Sequence, residues 1–314
     1  MKITLPDNSL RELPAGSSGY DLAKDIGPGL AKSAVAISID GVQKDLHDEI
    51  PGDATVSIIT INSDEGIEIM RHTLTAQVLA RAIKNLYPKS KLAIGPTIEN
   101  GFYYDVETDD AISVDDLEKI EAEMKKIIKS KSSITKKLVD KSDALKVFKS
   151  KKETYKEIII NESDQKDNFQ LYYQDNEEFV DLCRGPHLPS LNFIGSFKLT
   201  KVSGAYWKGD AKNNMLTRIY GTAWNNDKDL NNYLNSIEEA QKRDHRKLGK
   251  EMDLFHFQDE APGMVFWHPY GWNIYKTLQN FIRNKLDKNG YQEINTQQVV
   301  DRKLWEASGH WDKY

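Results

Sequence analysis

The sequence predicts an α+β chain built from several domains. Three patterns carry that expectation. Short alternating apolar runs fill residues 1–61, helical stripes and β-rich runs are interleaved over residues 66–225, and a polar amphipathic stretch then leads into a last segment with its own apolar helix. At 314 residues the chain has room for two or three domains, each with its own core.

In the first region, Lys2-Ile3-Thr4-Leu5, Ala34-Val35-Ala36-Ile37-Ser38-Ile39 and Thr55-Val56-Ser57-Ile58-Ile59-Thr60 read as strands. Asp7-Asn8-Ser9 and Asp40-Gly41 supply turns between them. Tyr20-Asp21-Leu22-Ala23-Lys24-Asp25-Ile26 reads as a short helix stopped by Gly27-Pro28-Gly29, so a sheet with one helix across it is expected. Asn62-Ser63-Asp64-Glu65-Gly66 reads as a linker.

Beyond it, Leu74, Val78, Leu79, Ala82, Ile83 and Leu86 form one helical stripe closed by Pro88. Ser113-Val114-Asp115-Asp116 reads as a capping box ahead of a helix that carries Leu117, Ile120, Met124, Ile127 and Ile128 on one face. Ile158-Ile159-Ile160, Gln170-Leu171-Tyr172-Tyr173 and Glu178-Phe179-Val180-Asp181-Leu182 read as strands. From Asp227 an amphipathic helix carries Leu230, Leu234, Ile237 and Ala240. A further helix bears Ile274, Leu278, Phe281, Ile282 and Leu286, ends at Gly290 and is followed by an expected strand at Tyr291-Gln292-Glu293-Ile294.

Composition narrows the class of protein. Hydrophobic residues make up 39% and charged residues 29%, an ordinary globular balance. No apolar run approaches the roughly 18 residues that cross a bilayer, and no signal-peptide pattern opens the chain. One cysteine excludes an intrachain disulfide and suits a reducing compartment, so a cytoplasmic location is expected. The net charge of −5 argues mildly against a nucleic-acid partner. The stretches Lys125 to Lys137 and Lys242 to Lys250 are locally basic, a pattern that solvated helix faces also show.

The sharpest local feature is Asp181-Leu182-Cys183-Arg184-Gly185-Pro186-His187, where Gly-Pro forces a turn that folds His187 back toward the thiol. A Cys and a His within reach serve as nucleophile and base, as metal ligands or as water-positioning groups; a structural Cys near a surface His gives the same spacing. His72 is expected in the first turn of the helix carrying Leu74 to Leu86. There the helix dipole would keep its imidazole neutral.

Taken in order, several longer motifs resemble the editing domain of bacterial-type threonyl-tRNA synthetases. They are Arg71-His72, Ile94-Gly95-Pro96-Thr97-Ile98-Glu99-Asn100-Gly101-Phe102-Tyr103-Tyr104-Asp105, Tyr155-Lys156, the Cys183 to His187 turn, Gly204-Ala205-Tyr206-Trp207-Lys208-Gly209-Asp210 and Arg218-Ile219-Tyr220-Gly221-Thr222-Ala223-Trp224. Residues 1–61 resemble the ubiquitin-like TGS module, a β-grasp. Lys242 to Gly249, Glu260 to His268 and Trp305 to Tyr314 look like the start of that family's class II catalytic domain.

The resemblance covers the whole chain. It implies a TGS domain (1–61), an editing or Ser-tRNA deacylase domain (66–225), a linker helix (226–242) and a truncated class II antiparallel-sheet domain including motif 1 (243–314). The expected function is that of the N-terminal fragment of a threonine-tRNA ligase, hydrolysing mischarged Ser-tRNA(Thr). Threonine and serine differ by one methyl, worth only about 1–3 kcal/mol, so a second sieve is needed. By matched motif, His72 and His187 would handle water or protons and Cys183 would shape the serine pocket. Asp181 would recognise the ammonium or hydroxyl, Lys156 the terminal ribose or ester oxygen, and Tyr104 would line the pocket. Water can attack an ester directly, so no covalent thioester on Cys183 is required.

Partners implied are tRNA(Thr), with threonine, serine, ATP and homodimerisation belonging to a full-length protein. No cofactor or metal is implied for the part present; ATP, Mg and Zn belong to a later catalytic region. A stand-alone trans-editing deacylase and a non-catalytic tRNA-binding or regulatory module are the alternatives.

Three departures from the family pattern stand out. The second histidine of H-x-x-x-H is Ala76, and one extra residue brings Gln77 to its usual place before Val78-Leu79-Ala80. Glutamine hydrogen-bonds but is no base near neutral pH, so Gln77 is expected among the residues that bind substrate or tRNA. Gln297 stands near an expected motif 1 proline, and the sequence stops at Tyr314, ahead of the ATP-binding arginines, zinc ligands and anticodon-binding domain, so no threonine activation is expected from it.

Overall fold

The computed structural model describes residues 1–174, 177–297 and 300–311. It forms two compact units, Met1–Leu234 and Asn235–Tyr314. In the first unit, β1 (Lys2–Thr4) and β2 (Leu10–Glu12) make a hairpin. α1 (Gly19–Ile26) starts at a capping box between Ser18 and Asp21, and α2 (Pro28–Ser33) follows directly. With β3 (Ala34–Ile39), β4 (Val42–Asp45) and β5 (Ala54–Thr60) the sheet order is β2-β1-β5-β3-β4, with β1 and β5 parallel. Leu22 and Ala23 of α1 close over Ile3, Ile37 and Val56, whereas Val35, Ala36 and Ile59 join the core of the residues that follow. The sheet and the next region therefore share apolar packing.

The stretch expected as a linker is instead a helix start. Ser63 caps α3 (Asp64–Thr73) by accepting the Gly66 N–H at 3.1 Å. A Cβ at Gly66 would sit 2.0 Å from the Thr60 carbonyl oxygen, so only glycine lets the helix turn away this tightly. His72 consequently lies in the last turn of α3, not in a first turn, and the positive end of a helix dipole does not act on it.

Leu74–Leu79 is a π turn, with the Ala80 N–H bonded to the Thr75 carbonyl five residues back, and α4 (Ala80–Leu86) continues the rod. A π turn holds one residue more than an α turn, so it absorbs the extra residue noted beside His72 without breaking the helix.

β6 (Lys91–Leu92), β7 (Thr97–Ile98) and β8 (Gly101–Glu107) come next, then α5 (Leu117–Lys129) behind the Ser113–Asp116 capping box. β9 (Ile134–Val139), α6 (Lys141–Ser150), α7 (Thr154–Glu162), β10 (Phe169–Gln174), β11 (Phe179–Leu182), β12 (Ser196–Tyr206) and β13 (Met215–Trp224) complete the region. One antiparallel sheet has the order β11-β10-β9; the other is β12-β13-β8-β6, with β7 also on β8. The α3–α4 rod packs Met70, Leu74, Val78 and Ile83 with Phe102, Ile219 and Met124 of α5.

Ile158-Ile159-Ile160 belongs to α7, not to a strand. In a strand Ile158 and Ile160 would share a face; here Ile160 is fully buried and Ile158 is exposed. Packing of Tyr155, Lys156 and Ile160 overrides the β preference of the isoleucines.

α8 (Asp227–Lys242) contains the division between the units. The second unit holds α9 (His245–Glu251), the short pair β14 (Phe255–His256) and β15 (Phe266–Trp267), α10 (Pro269–Lys288) and α11 (Arg302–Ala307). Tyr291 to Ile294 forms no strand, because no neighbouring strand among the described residues offers it hydrogen bonds. Asp312, Lys313 and Tyr314, the end of the class II resemblance, lie outside the described residues. No helix among the described residues is long and apolar enough to cross a membrane.

Candidate active site

A cavity of about 590 Å³ opens between the α3–α4 rod, α7 and the turn after β11; His72, Ala76, Gly95, Lys156, Asp181 and Cys183 line it. That volume suits a small ligand or the end of a larger one. Gly95 is held close: a Cβ there would fall 2.3 Å from the Tyr104 ring.

His72 Nε2 lies 2.8 Å from Cys183 Sγ, so a single shared proton links imidazole and thiol. Burial lowers the His72 pKa from its ordinary value, with the Asp181 carboxylate opposing the shift. The expected neutral imidazole is therefore obtained through desolvation in the cavity wall rather than through a dipole.

Opposite, the Lys156 ammonium meets Asp181 Oδ1 at 2.6 Å, both side chains being almost completely buried. Asp181 Oδ1 also accepts its neighbour's Leu182 N–H at 2.8 Å, and the Tyr104 hydroxyl approaches Oδ2 at 3.4 Å. Burial pushes the Asp181 carboxyl up and Lys156 opposes it. Burial likewise drives the Tyr104 phenol well up, which keeps it a proton donor. Tyr104 stands behind Lys156, its ring 5.9 Å from Nζ.

His187 sits beside these groups but not in the cavity lining. Its imidazole stacks on His72 at 4.7 Å with an interplanar angle of 6°, and is 2% exposed. The Thr73 hydroxyl donates to the Ile69 carbonyl at 2.8 Å and therefore accepts from its other partners, the His187 Nδ1–H at 3.2 Å and the Leu188 N–H at 2.9 Å. That network puts the ring proton on Nδ1 and leaves Nε2 a buried lone pair without a partner among the described residues.

Gln77 is turned out of the site: its amide oxygen accepts from Gln174 Nε2 at 2.9 Å, while Ala76 presents a methyl to the cavity. The π turn thus leaves the site one histidine from this helix, His72.

The His72, Cys183 and His187 donor atoms lie within 4.8 Å of one another. Two ligands of one tetrahedral zinc stand about 3.5 Å apart at ordinary bond lengths. The 2.8 Å His72–Cys183 contact is closer than that, and parallel imidazoles do not aim their lone pairs at one point. The trio as placed fits proton handling rather than tetrahedral coordination.

Thr73, Tyr172 and Asp45 are contributors that no local pattern announces. Thr73 fixes the His187 tautomer, and its only sequence signal is adjacency to His72. Tyr172 packs edge-on against His187 at 4.4 Å.

Residues 1–60 match the TGS domain, and residues 170–220 match the threonyl and alanyl tRNA synthetase second additional domain. Along 312 residues the chain is 50% identical to the threonine–tRNA ligase of Prochlorococcus marinus strain MIT 9211, covering 99% of this chain and 48% of that protein. It is 51% identical to the enzyme of the same name from Saccharophagus degradans, with 99% and 49% covered, and 50% identical to that of Maricaulis maris, with 100% and 48% covered. The chain is a relative of threonine–tRNA ligases. It spans about half the length of the curated relatives it matches, corresponding to an N-terminal portion of them. The second additional domain match contains Asp181, Cys183 and His187; His72, Tyr104 and Lys156 reach the same place from outside it.

Proposed function

We propose that residues 1–234 hydrolyse the ester of serine mischarged onto tRNA(Thr), as the proofreading part of a threonine-tRNA ligase. The observation that carries this reading is His72 Nε2, 2.8 Å from Cys183 Sγ, lining one cavity with the buried Lys156–Asp181 pair. An aminoacyl ester needs a positioned water, a base and donors for the oxyanion. In the resting site Cys183 occupies His72 Nε2, and bound water takes that place. The water oxygen attacks the ester carbonyl carbon while its proton passes to Nε2. The tetrahedral intermediate expels the ribose 3′ oxygen, which recovers that proton, leaving serine and tRNA. Lys156 has two N–H donors beyond its Asp181 contact for the oxyanion or the ribose, and Asp181 Oδ2 keeps acceptor capacity for the substrate ammonium.

A second reading makes Cys183 a nucleophile with His72 as its base, and the same short contact favours it. Deacylation of Ser-tRNA(Thr) by the full chain decides. Turnover retained in Cys183→Ala and lost in His72→Ala supports water attack; loss in Cys183→Ala with a trapped thioester in the wild type supports the nucleophile. Affinity for tRNA with no turnover in the wild type would instead leave a binding or regulatory module. A stand-alone deacylase acting in trans uses the same site. In the ligase reading, ATP-, Mg- and Zn-dependent activation of threonine and any dimerisation belong to sequence outside these residues, and the protein works in the cytoplasm.

A further inference from the structure

Asp45 ends β4 of the β-grasp sheet, 142 residues from His187, yet its carboxylate is built into the turn that carries that histidine. Oδ1 accepts the His187 N–H at 2.7 Å, and Oδ2 accepts the Tyr172 hydroxyl at 2.8 Å. Tyr172 in turn defines both the ring and the turn: its edge meets the His187 imidazole at 4.4 Å, and a Cβ at Gly185, where φ is +65°, would fall 2.0 Å from its hydroxyl oxygen. The carboxylate is itself held by Lys136, whose ammonium lies 2.8 Å from Asp45 Oδ2 and 2.5 Å from Asp48 Oδ1. Asp45, Asp48, Lys136, Tyr172 and His187 all border a cavity of about 300 Å³ between the β-grasp sheet and the β9–β10 strands.

These contacts divide the work on one imidazole. Thr73 fixes its tautomer and the His72 ring covers one face. The backbone N–H that remains answers to a carboxylate from the other domain, and the Tyr172 hydroxyl lies between that carboxylate at 2.8 Å and Gln170 Oε1 at 3.0 Å. We propose that Asp45 is a positioning residue of the hydrolytic site, through which the β-grasp domain sets the orientation of His187 and hence of the His72 ring stacked on it. The inference rests on the hydrolase reading above for its catalytic consequence, and on hydrogen bonds alone for its structural one.

Asp48 supplies the discriminating control: it shares Lys136 with Asp45 and accepts the Asp45 N–H at 3.2 Å, a bond that Asp48→Asn can keep, but it does not touch His187. In the full chain, Asp45→Ala is expected to slow single-turnover Ser-tRNA deacylation about tenfold with tRNA affinity unchanged, since small misplacements of catalytic groups weigh heavily on rate. Asp45→Asn, which keeps an oxygen for the His187 N–H, is expected to restore most of the rate, and Asp48→Asn to match the wild type. Asp45→Ala at wild-type rate overturns the proposal, as does Asp48→Asn falling equally, which would make the contact mere adhesion between domains. In parallel, nitrogen-15 and proton spectra of histidine-labelled chain read the structural part. The His187 imidazole should show the Nδ1–H tautomer in the wild type, and its amide proton should move upfield in Asp45→Asn. An unmoved amide signal overturns the proposal even where Asp45→Ala does not fold. If the wild-type chain turns over no Ser-tRNA, the hydrolase reading fails by itself and the spectra still decide on Asp45.

Discussion

The two units treat the same kinds of side chain in opposite ways. In Met1–Leu234 the Lys156–Asp181 pair is almost completely buried, and the half-buried His72–Cys183 contact faces an open cavity. In Asn235–Tyr314 an equally short chain of contacts, Asp253 to His268 at 2.7 Å and His268 to His256 at 2.7 Å, runs out to the surface, His268 being half-buried and Asp253 82% exposed at its side chain. There the apolar stripe of α10 also faces outward, Leu278 being 60% and Phe281 58% exposed. Hydrogen-bond distance is therefore common to both units. What distinguishes the candidate site is the burial of Lys156 and Asp181, which lets charge and proton affinity be adjusted.

That contrast can be broken most directly at Lys156. Lys156→Ala strands a buried carboxylate, and urea unfolding should show a loss of about 3–5 kcal/mol. Replacing the pair together, Lys156→Met with Asp181→Leu, should recover most of the stability while abolishing hydrolysis. Arg283→Ala, which opens the exposed Arg283–Glu293 pair of the second unit, should leave the unfolding midpoint where it was. A Lys156→Ala loss as small as that of Arg283→Ala would mean the site is wet.

The next effect in size is catalytic. His72→Ala should lower Ser-tRNA deacylation about a hundredfold, whereas His268→Ala should leave it unchanged. Equal losses would show that exposure does not separate the two histidine groups. Treatment with a chelator should leave the wild-type rate unaltered, and a fall reversed by zinc would reassign the His72, Cys183 and His187 donors to a metal.

Acid sharpens the comparison further. Burial holds the folded-state His72 pKa below 6.5, so the unfolded chain takes up a proton first as pH falls. The stability contributed by a neutral His72 is complete above pH 6.5 and is lost as pH drops through the lowered folded value. Melting temperature should therefore fall more steeply below pH 6.5 in the wild type than in His72→Gln, and the acid limb of deacylation should also lie below that pH. Parallel melting profiles would remove burial as the cause.

The smallest effect is expected on α10. Phe281→Glu should reduce binding of a hydrophobic dye and leave the melting of the first unit unmoved, because that side chain packs into no core cluster. A shift in the first unit would show that the face is already used.

Local chemistry determines much of this protein. Alternation found β1, β3 and β5, a Gly-Pro-Gly stop marked α1 and a capping box α5, and the order of motifs singled out His72, Lys156 and the Cys183 to His187 turn. These signals are short-range, since a strand's period or a cap's hydrogen bond is written within a few residues. Packing overturned two strand expectations: Ile158 to Ile160 became helical against a core, and Tyr291 to Ile294 found no strand to pair with among the described residues. It also made a π turn that shows Ala76 to the cavity and hides Gln77, and it attached Asp45 of one domain to His187 of another. Contacts between residues far apart in the chain depend on how whole elements meet, and burial at that meeting lowers the His72 pKa.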